Sequence, residues 1–237
     1  MKTRSELQPR AALPYLINEA LTRVRKDPQH HLNLGYREAI YHAFGPHLFD
    51  NGNQMGHKRR IALAHLAVSR VLPLRQSAWP KNDTVPRMIR QVEKIMNAPV
   101  SAIERDALGE EVEALWEYVT ELTDETRNIA GVVGMAAVEM LSLALWDGFT
   151  EWDGIDCKRD DSHDFMDNDV HFYAATAYAN GPPYAIALSS DSSPDKRQEF
   201  WEWWLTEAVP AAWAVTPMTQ KLPYYDRTQP LLARHPT

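Results

Sequence analysis

The chain has 237 residues, 44% of them apolar and eight of them tryptophan, which supplies one sizeable core and excludes an extensively disordered chain. Its formal charge of −7 speaks against a nucleic-acid binder, and its single cysteine, Cys157, excludes an intramolecular disulfide and a cysteine-rich zinc site. The opening Met1-Lys2-Thr3-Arg4-Ser5-Glu6 lacks the apolar stretch of a secretory signal, so a cytoplasmic location is expected.

Glycine is scarce, period-2 alternation is absent, and apolar residues recur at three- and four-residue spacing. That pattern predicts an all-α fold: one globular domain of about eight helices within residues 1–216, around a central apolar helix, with a Pro-rich tail at 217–237. The first helix is expected over about Ala11 to Lys26, ended by Asp27-Pro28, and the second over Gly35 to Phe44, stopped by Gly45-Pro46. A third carries Ile61, Leu63, Ala64, Leu66 and Val71 up to a kink or end at Pro73. The fourth opens at Asp83 or Thr84 as cap with Pro86 in its first turn, and Ser101-x-x-Glu104 has the form of a capping box that starts the fifth.

The sixth helix, from about Asp124 to Phe149, contains the apolar run Ile129 to Val138 and its continuation to Trp146. Glu139 near its middle and Gly131 and Gly134 fit a buried core helix better than a membrane span, so no membrane partner is expected. Residues 150–166 look irregular and polar. Asp167 is the expected cap of a seventh helix reaching Ala179, and Ser193 followed by Pro194 caps an eighth that runs to Trp213.

Charge is unevenly placed. Between Asp147 and Asp169 lie nine acids against only Lys158 and Arg159, while the remainder of the chain balances at 23 acids and 23 bases. Such a segment either is a solvated connector rich in turn-forming aspartates or attracts a basic protein surface. On the second alternative the contact residues are Asp153, Asp156, Asp160, Asp161, Asp164, Asp167 and Asp169. Trp152 and Phe165 would serve as apolar anchors beside them, with Trp203 as a further exposed aromatic. Replacing Asp160, Asp161 and Asp164 by Asn is then expected to slow association without altering stability.

The enzymatic alternative is Asp160-Asp161-Ser-His-Asp164, which has the spacing of the magnesium-diphosphate motif of helical isoprenoid synthases. The second metal motif of those enzymes needs a hydroxyl near Phe172 and a glutamate near Thr176, and neither is present. The nine histidines form no HExxH, no EF-hand, Walker loop, G-x-S-x-G or dinucleotide fingerprint occurs, and the acids around Cys157 disfavour a thiolate. No catalytic residue, metal or cofactor is expected.

At Leu32-Asn-Leu-Gly-Tyr-Arg-Glu-Ala-Ile-Tyr41, at Arg59-Arg-Ile-Ala-Leu-Ala with Val71-Leu-Pro73 and Trp79-Pro80, and at Phe200-Trp-Glu-Trp-Trp-Leu-Thr-Glu-Ala-Val-Pro-Ala-Ala-Trp213, the chain resembles an all-helical family of bacterial immunity proteins, the fifth among those of polymorphic toxin systems. The resemblance spans about residues 30–213. It implies a non-enzymatic antitoxin, encoded beside its toxin, that binds and blocks a cognate toxin domain in bacterial competition. It brings no catalytic residues and does not fix the toxin's chemistry; the acidic segment suggests a basic target such as a nuclease. A helical scaffold without a toxin partner is the other non-enzymatic alternative.

Overall fold

The structure, a computed structural model, describes residues 9–45, 55–98, 100–126, 129–147, 156–162, 168–183 and 192–215. The described residues are all-α. Helices α1 (Pro9–Lys26), α2 (Leu34–Ala43), α3 (Met55–Ala78), α4 (Thr84–Asn97), α5 (Ala102–Thr126), α6 (Ile129–Trp146) and α7 (Val170–Tyr178) lead to a last helical stretch. That stretch runs through α8 (Pro194–Trp203), a π-helical turn (Trp204–Ala208) and α9 (Val209–Trp213) without a break.

The apolar α6 is the axis. It is the one described helix long and apolar enough to cross a membrane, yet 78% of it is buried inside the protein, against α3, α4, α5 and α7. Its composition follows from that position, because a helix surrounded on most sides has no polar face to present. Gly134 lets α5 approach: a Cβ there would lie 2.9 Å from Val119 Cγ1 and 2.9 Å from an Arg75 Nη1. A second group, α1, α2, α8 and α9, joins this bundle through α3 and α7.

Several ends form as their residues dictate. Ser101 and Glu104 make the capping box, with the Ser101 N–H donating to Glu104 Oε2 at 3.0 Å and the Glu104 N–H to Ser101 Oγ at 3.3 Å. Ser193 Oγ accepts from the Lys196 N–H at 3.3 Å, with Pro194 at the first helical position, where no donor is needed.

Other ends differ from the sequence expectation. The helix α3 passes through Pro73 to Ala78, because Val71, Leu72 and Arg75 around it are buried and packing offsets a cost of about 3 kcal/mol for the proline. At α4 Asp83 does stand at the cap position, but its side chain makes no capping hydrogen bond, and the Asn82 side chain accepts from the Thr84 N–H at 3.1 Å instead. Asp124 belongs to α5, not α6, since no proline or glycine punctuates that junction and the apolar periodicity ran across it. Asp169, not Asp167, caps α7: its Oδ1 accepts from the N–H groups of His171 at 2.8 Å and Phe172 at 2.9 Å. Asp167, and the tail at 217–237, lie outside the described residues.

Candidate functional site

Within the acidic segment, residues 156–162 are held against the body of the protein. Asp156 forms a tight turn, its Oδ1 accepting from the Lys158 N–H at 2.9 Å and its carbonyl from the Arg159 N–H at 2.9 Å. The turn lies on the N-terminus of α2. There the Gly35 N–H donates to the Arg159 carbonyl at 2.9 Å and Asn33 Nδ2 to the Cys157 carbonyl at 3.1 Å. Only glycine fits at 35, where a Cβ would fall 2.1 Å from the Asp156 carbonyl oxygen.

Beyond the turn, Asp161 points inward. Its carboxylate takes Arg37 Nη2 in a short ion pair and His31 Nε2 at 2.6 Å, while Arg37 Nε reaches Asp169 at 2.8 Å. Arg37 is completely buried, lies 5.6 Å from the Trp201 ring centre, and also donates to the Leu32 carbonyl. Burial alone would raise the Asp161 carboxyl, but Arg37 and the His31 hydrogen bond overcome it and hold the group well below the usual carboxylate range. His31 goes the other way: burial lowers its pKa more than Asp161 raises it, and its second ring nitrogen has no hydrogen-bond partner among the described residues.

The same happens at Asp147, where α6 ends. Arg60 from α3 donates to both carboxylate oxygens, at 2.8 and 2.6 Å, and to the carbonyls of Tyr41 and Gly45 where α2 ends. Both partners are buried. Three of the nine acids are therefore internal counter-ions of Arg37 and Arg60. Asp161 and Asp169 do not belong to an open acidic surface, because the buried Arg37 needs both.

Asp156 and Asp160 are exposed, as are Lys158 and Arg159, the latter 2.9 Å from Glu38. Asp153, Asp164, Asp167, Trp152 and Phe165 lie outside the described residues. Trp203 is not the open aromatic expected from the sequence. It is 8% exposed, with the Arg70 guanidinium 4.3 Å from its ring centre and Phe200 packed beside it, because the helix around it is covered on more sides than one stripe suggests.

The arrangement gives little to a magnesium-diphosphate site. Asp161, the middle carboxylate of that motif, already holds Arg37 and His31, and among the described residues no three His, Cys, Asp or Glu side chains gather to hold a metal ion. The Cys157 thiol is pushed up by burial and by Asp156. His171 is buried, accepts the Tyr41 hydroxyl on Nδ1 at 2.5 Å, and has its pKa lowered by burial to about 4, so it is a neutral packing residue.

What the charge count concealed is α5. Residues 102–126 contain nine acids and one base, Arg105, and the neutrality of the chain outside 147–169 arises because α1, α3 and α4 carry an excess of bases. Two of the α5 acids have internal tasks: Glu104 closes the capping box, and Glu111 meets Arg87 at 3.4 Å and Gln91 at 2.9 Å. Asp106, Glu110, Glu113, Glu117 and Glu121 are exposed, and their spacing of four, three, four and four aligns them on one face.

Beside that stripe runs an apolar line of Ile103, Ala107, Ala114 and Tyr118, all exposed. Ile103, at 83%, and Tyr118, at 41%, are two of the three large hydrophobic residues exposed among those described, Tyr15 being the third. The opposite side of α5, with Val112, Leu115 and Val119, is buried on α6. A helical wheel and a charge count for each helix would have found this stripe in the sequence.

No curated protein matches the chain at a significant level. A family model described as Immunity protein Imm5 does match it, over residues 17–211, which takes in α2 to α8 and most of α1 and α9, including Arg37, Arg60 and the whole acidic helix. The chain belongs to the Imm5 family of immunity proteins.

Proposed function

We propose that this chain is a non-enzymatic cytoplasmic antitoxin that binds and neutralises a cognate toxin domain, and that the toxin domain is basic, as a nuclease is. The observation that carries the first part is the family match across most of the chain. The second part is supported by the formal charge of −7, by the exposed carboxylates of α5 and Asp160 that form no ion pair among the described residues, and by the exposed Asp156 of the turn. Acidic surfaces of this kind accelerate encounter with a basic partner and reject nucleic acid. Asp153, Asp164 and Asp167, with Trp152 and Phe165, extend the proposed contact along the segment, whereas Asp161 and Asp169 act there only by holding the chain in place.

The test uses the neighbouring reading frame. Its variable C-terminal domain is expressed with and without this chain, cell survival is scored, and the purified pair is assayed for complex formation and for cleavage of DNA and RNA. Protection together with a stable complex and lost nuclease activity is expected. A toxin domain that kills equally well in the presence of the chain and does not bind it overturns the proposal and favours a scaffold role; a neutralised toxin of another chemistry overturns only the nuclease part.

A further inference from the structure

We propose that the solvent-facing side of α5, its acidic stripe and the apolar line beside it, is the surface on which the toxin domain docks, and that the toxin meets it with an apolar ridge flanked by lysines or arginines. This rests on the antitoxin role proposed above and names the place where it is carried out.

The stripe is costly if its only purpose is solubility. Like charges three or four residues apart on a helix repel by a few tenths of a kcal/mol per pair, and a solvated helix ordinarily interleaves bases at those spacings. Among the described residues, none of the five stripe acids forms an ion pair, although Arg87 and Arg90 on the neighbouring α4 pair with Glu111 and Asp83. The acids with internal partners sit at the edges of the helix face, and those without are aligned along its centre.

The apolar line is a second and independent sign of a partner. Large exposed hydrophobic side chains are few among the described residues, and two of them share this face. Ala107 and Ala114 between them leave room for a partner to approach the helix closely. The Tyr118 hydroxyl lies 3.5 Å from Asn82 Nδ2 at the edge of this face, and an exposed tyrosine is the type of residue that carries binding energy at interfaces.

The position of α5 suits the task. Among the described helices its backbone lies against α6 alone, and on the opposite side the residues from Ile103 to Glu121 named above are exposed. From Ile103 to Glu121 that side extends about 27 Å at 1.5 Å per residue, long enough to form the centre of an interface of ordinary size. A second copy of this chain is a poor occupant, because two such stripes would repel. The complementary occupant is a basic protein surface.

The experiment compares full-length variants for association kinetics with the purified toxin domain and for protection of toxin-expressing cells. Charge reversal at three stripe positions (Glu110→Lys, Glu113→Lys and Glu117→Lys together) should slow association at low salt by about tenfold or more, and the difference should shrink as salt is raised. Tyr118→Ala should speed dissociation by about tenfold or more. Melting temperature should stay level or rise in the charge variant. Should Tyr118→Ala prove unstable, Ile103→Asp, at the most exposed apolar position, replaces it. If the unaltered chain binds and protects and the α5 variants do so equally well, the docking surface lies elsewhere and this proposal is wrong. If the unaltered chain neither binds nor protects, the antitoxin role itself has failed.

Discussion

Residues 102–126 and residues 147–169 each carry nine acids, against one base and two bases respectively, and the fold treats them in opposite ways. On α5 the apolar residues claim the side facing α6, so helical geometry forces the acids outward. In the second stretch the described acids fall at the C-terminal end of α6, in the turn at 156–162 and at the N-cap of α7, where no periodicity sets a direction. There the outcome is decided by arginines arriving from elsewhere: Arg60 is 87 positions from Asp147, and Arg37 is 124 positions from Asp161. A local excess of charge becomes a surface charge only where no distant counter-ion reaches it.

The contrast can be broken most directly at Asp161. Asp161→Asn removes one carboxylate from the buried Arg37 and the acceptor of His31, and should cost about 3–5 kcal/mol in urea denaturation. The neighbouring exposed Asp160→Asn should stay within about 0.5 kcal/mol. The expectation that Asp160, Asp161 and Asp164 could be neutralised together without loss of stability is therefore revised for Asp161; equal, small effects at 160 and 161 would mean that Asp161 is no more a structural counter-ion than its exposed neighbour.

Acid provides the next largest effect. His171 stays neutral in the folded protein down to about pH 4, whereas in the unfolded chain it protonates near 6.5. The unfolded state therefore takes up the proton first as pH falls, and a stabilisation of about 3 kcal/mol, complete above 6.5, is lost between 6.5 and about 4. The partly buried His31 and the buried His57, both with lowered pKa, act in the same direction. Asp161, held low by Arg37 and His31 against its burial, keeps its charge through this window and gives way only in stronger acid. Denaturation midpoints compared at about pH 7.5 and 4.5 test this; a flat profile, or one unchanged by His171→Gln, contradicts it.

A smaller effect sharpens the comparison at the turn itself. Gly35→Ala brings a methyl group onto the Asp156 carbonyl and should cost about 1–3 kcal/mol, since either α2 or the 156–162 chain must move. Amide exchange at Arg159 should quicken in that variant while α5 amides stay protected. Uniform loosening of both would mean that the turn is not a separately held unit.

Most of the helices were legible because apolar spacing and capping chemistry are local. Ser193-Pro194 and the Ser101/Glu104 box announce their helix starts without help from the rest of the chain. The cap of α7 was not decidable in this way: Asp167 and Asp169 are two residues apart and chemically identical, and only Asp169 is shown to meet Arg37. Trp203 was misplaced because an ideal helical wheel assumes one covered stripe, whereas Arg70 from α3 lies on its ring and a π-helical turn follows it immediately. The α5 stripe was present in the spacing of its acids but invisible in a sum, since basic residues on other helices cancel it.

The tryptophans of α8 and the π turn give the molecule an optical gauge of its own state. Trp201 and Trp204 are fully buried with ring centres 5.6 Å apart and planes at 88°, Phe200 lies 5.1 Å from Trp201, and His171 lies 5.2 Å from Trp204. Indoles fixed at such an angle in an asymmetric environment yield a near-ultraviolet dichroism that exists only while side-chain packing is intact. Because Arg37 lies over Trp201, loosening of the 156–162 turn would register in that signal before any helix melts. The exposed face of α5 bears no indole, Trp116 being turned toward Tyr173, so a toxin settling there would leave the gauge undisturbed unless the event is transmitted through α6 and α7.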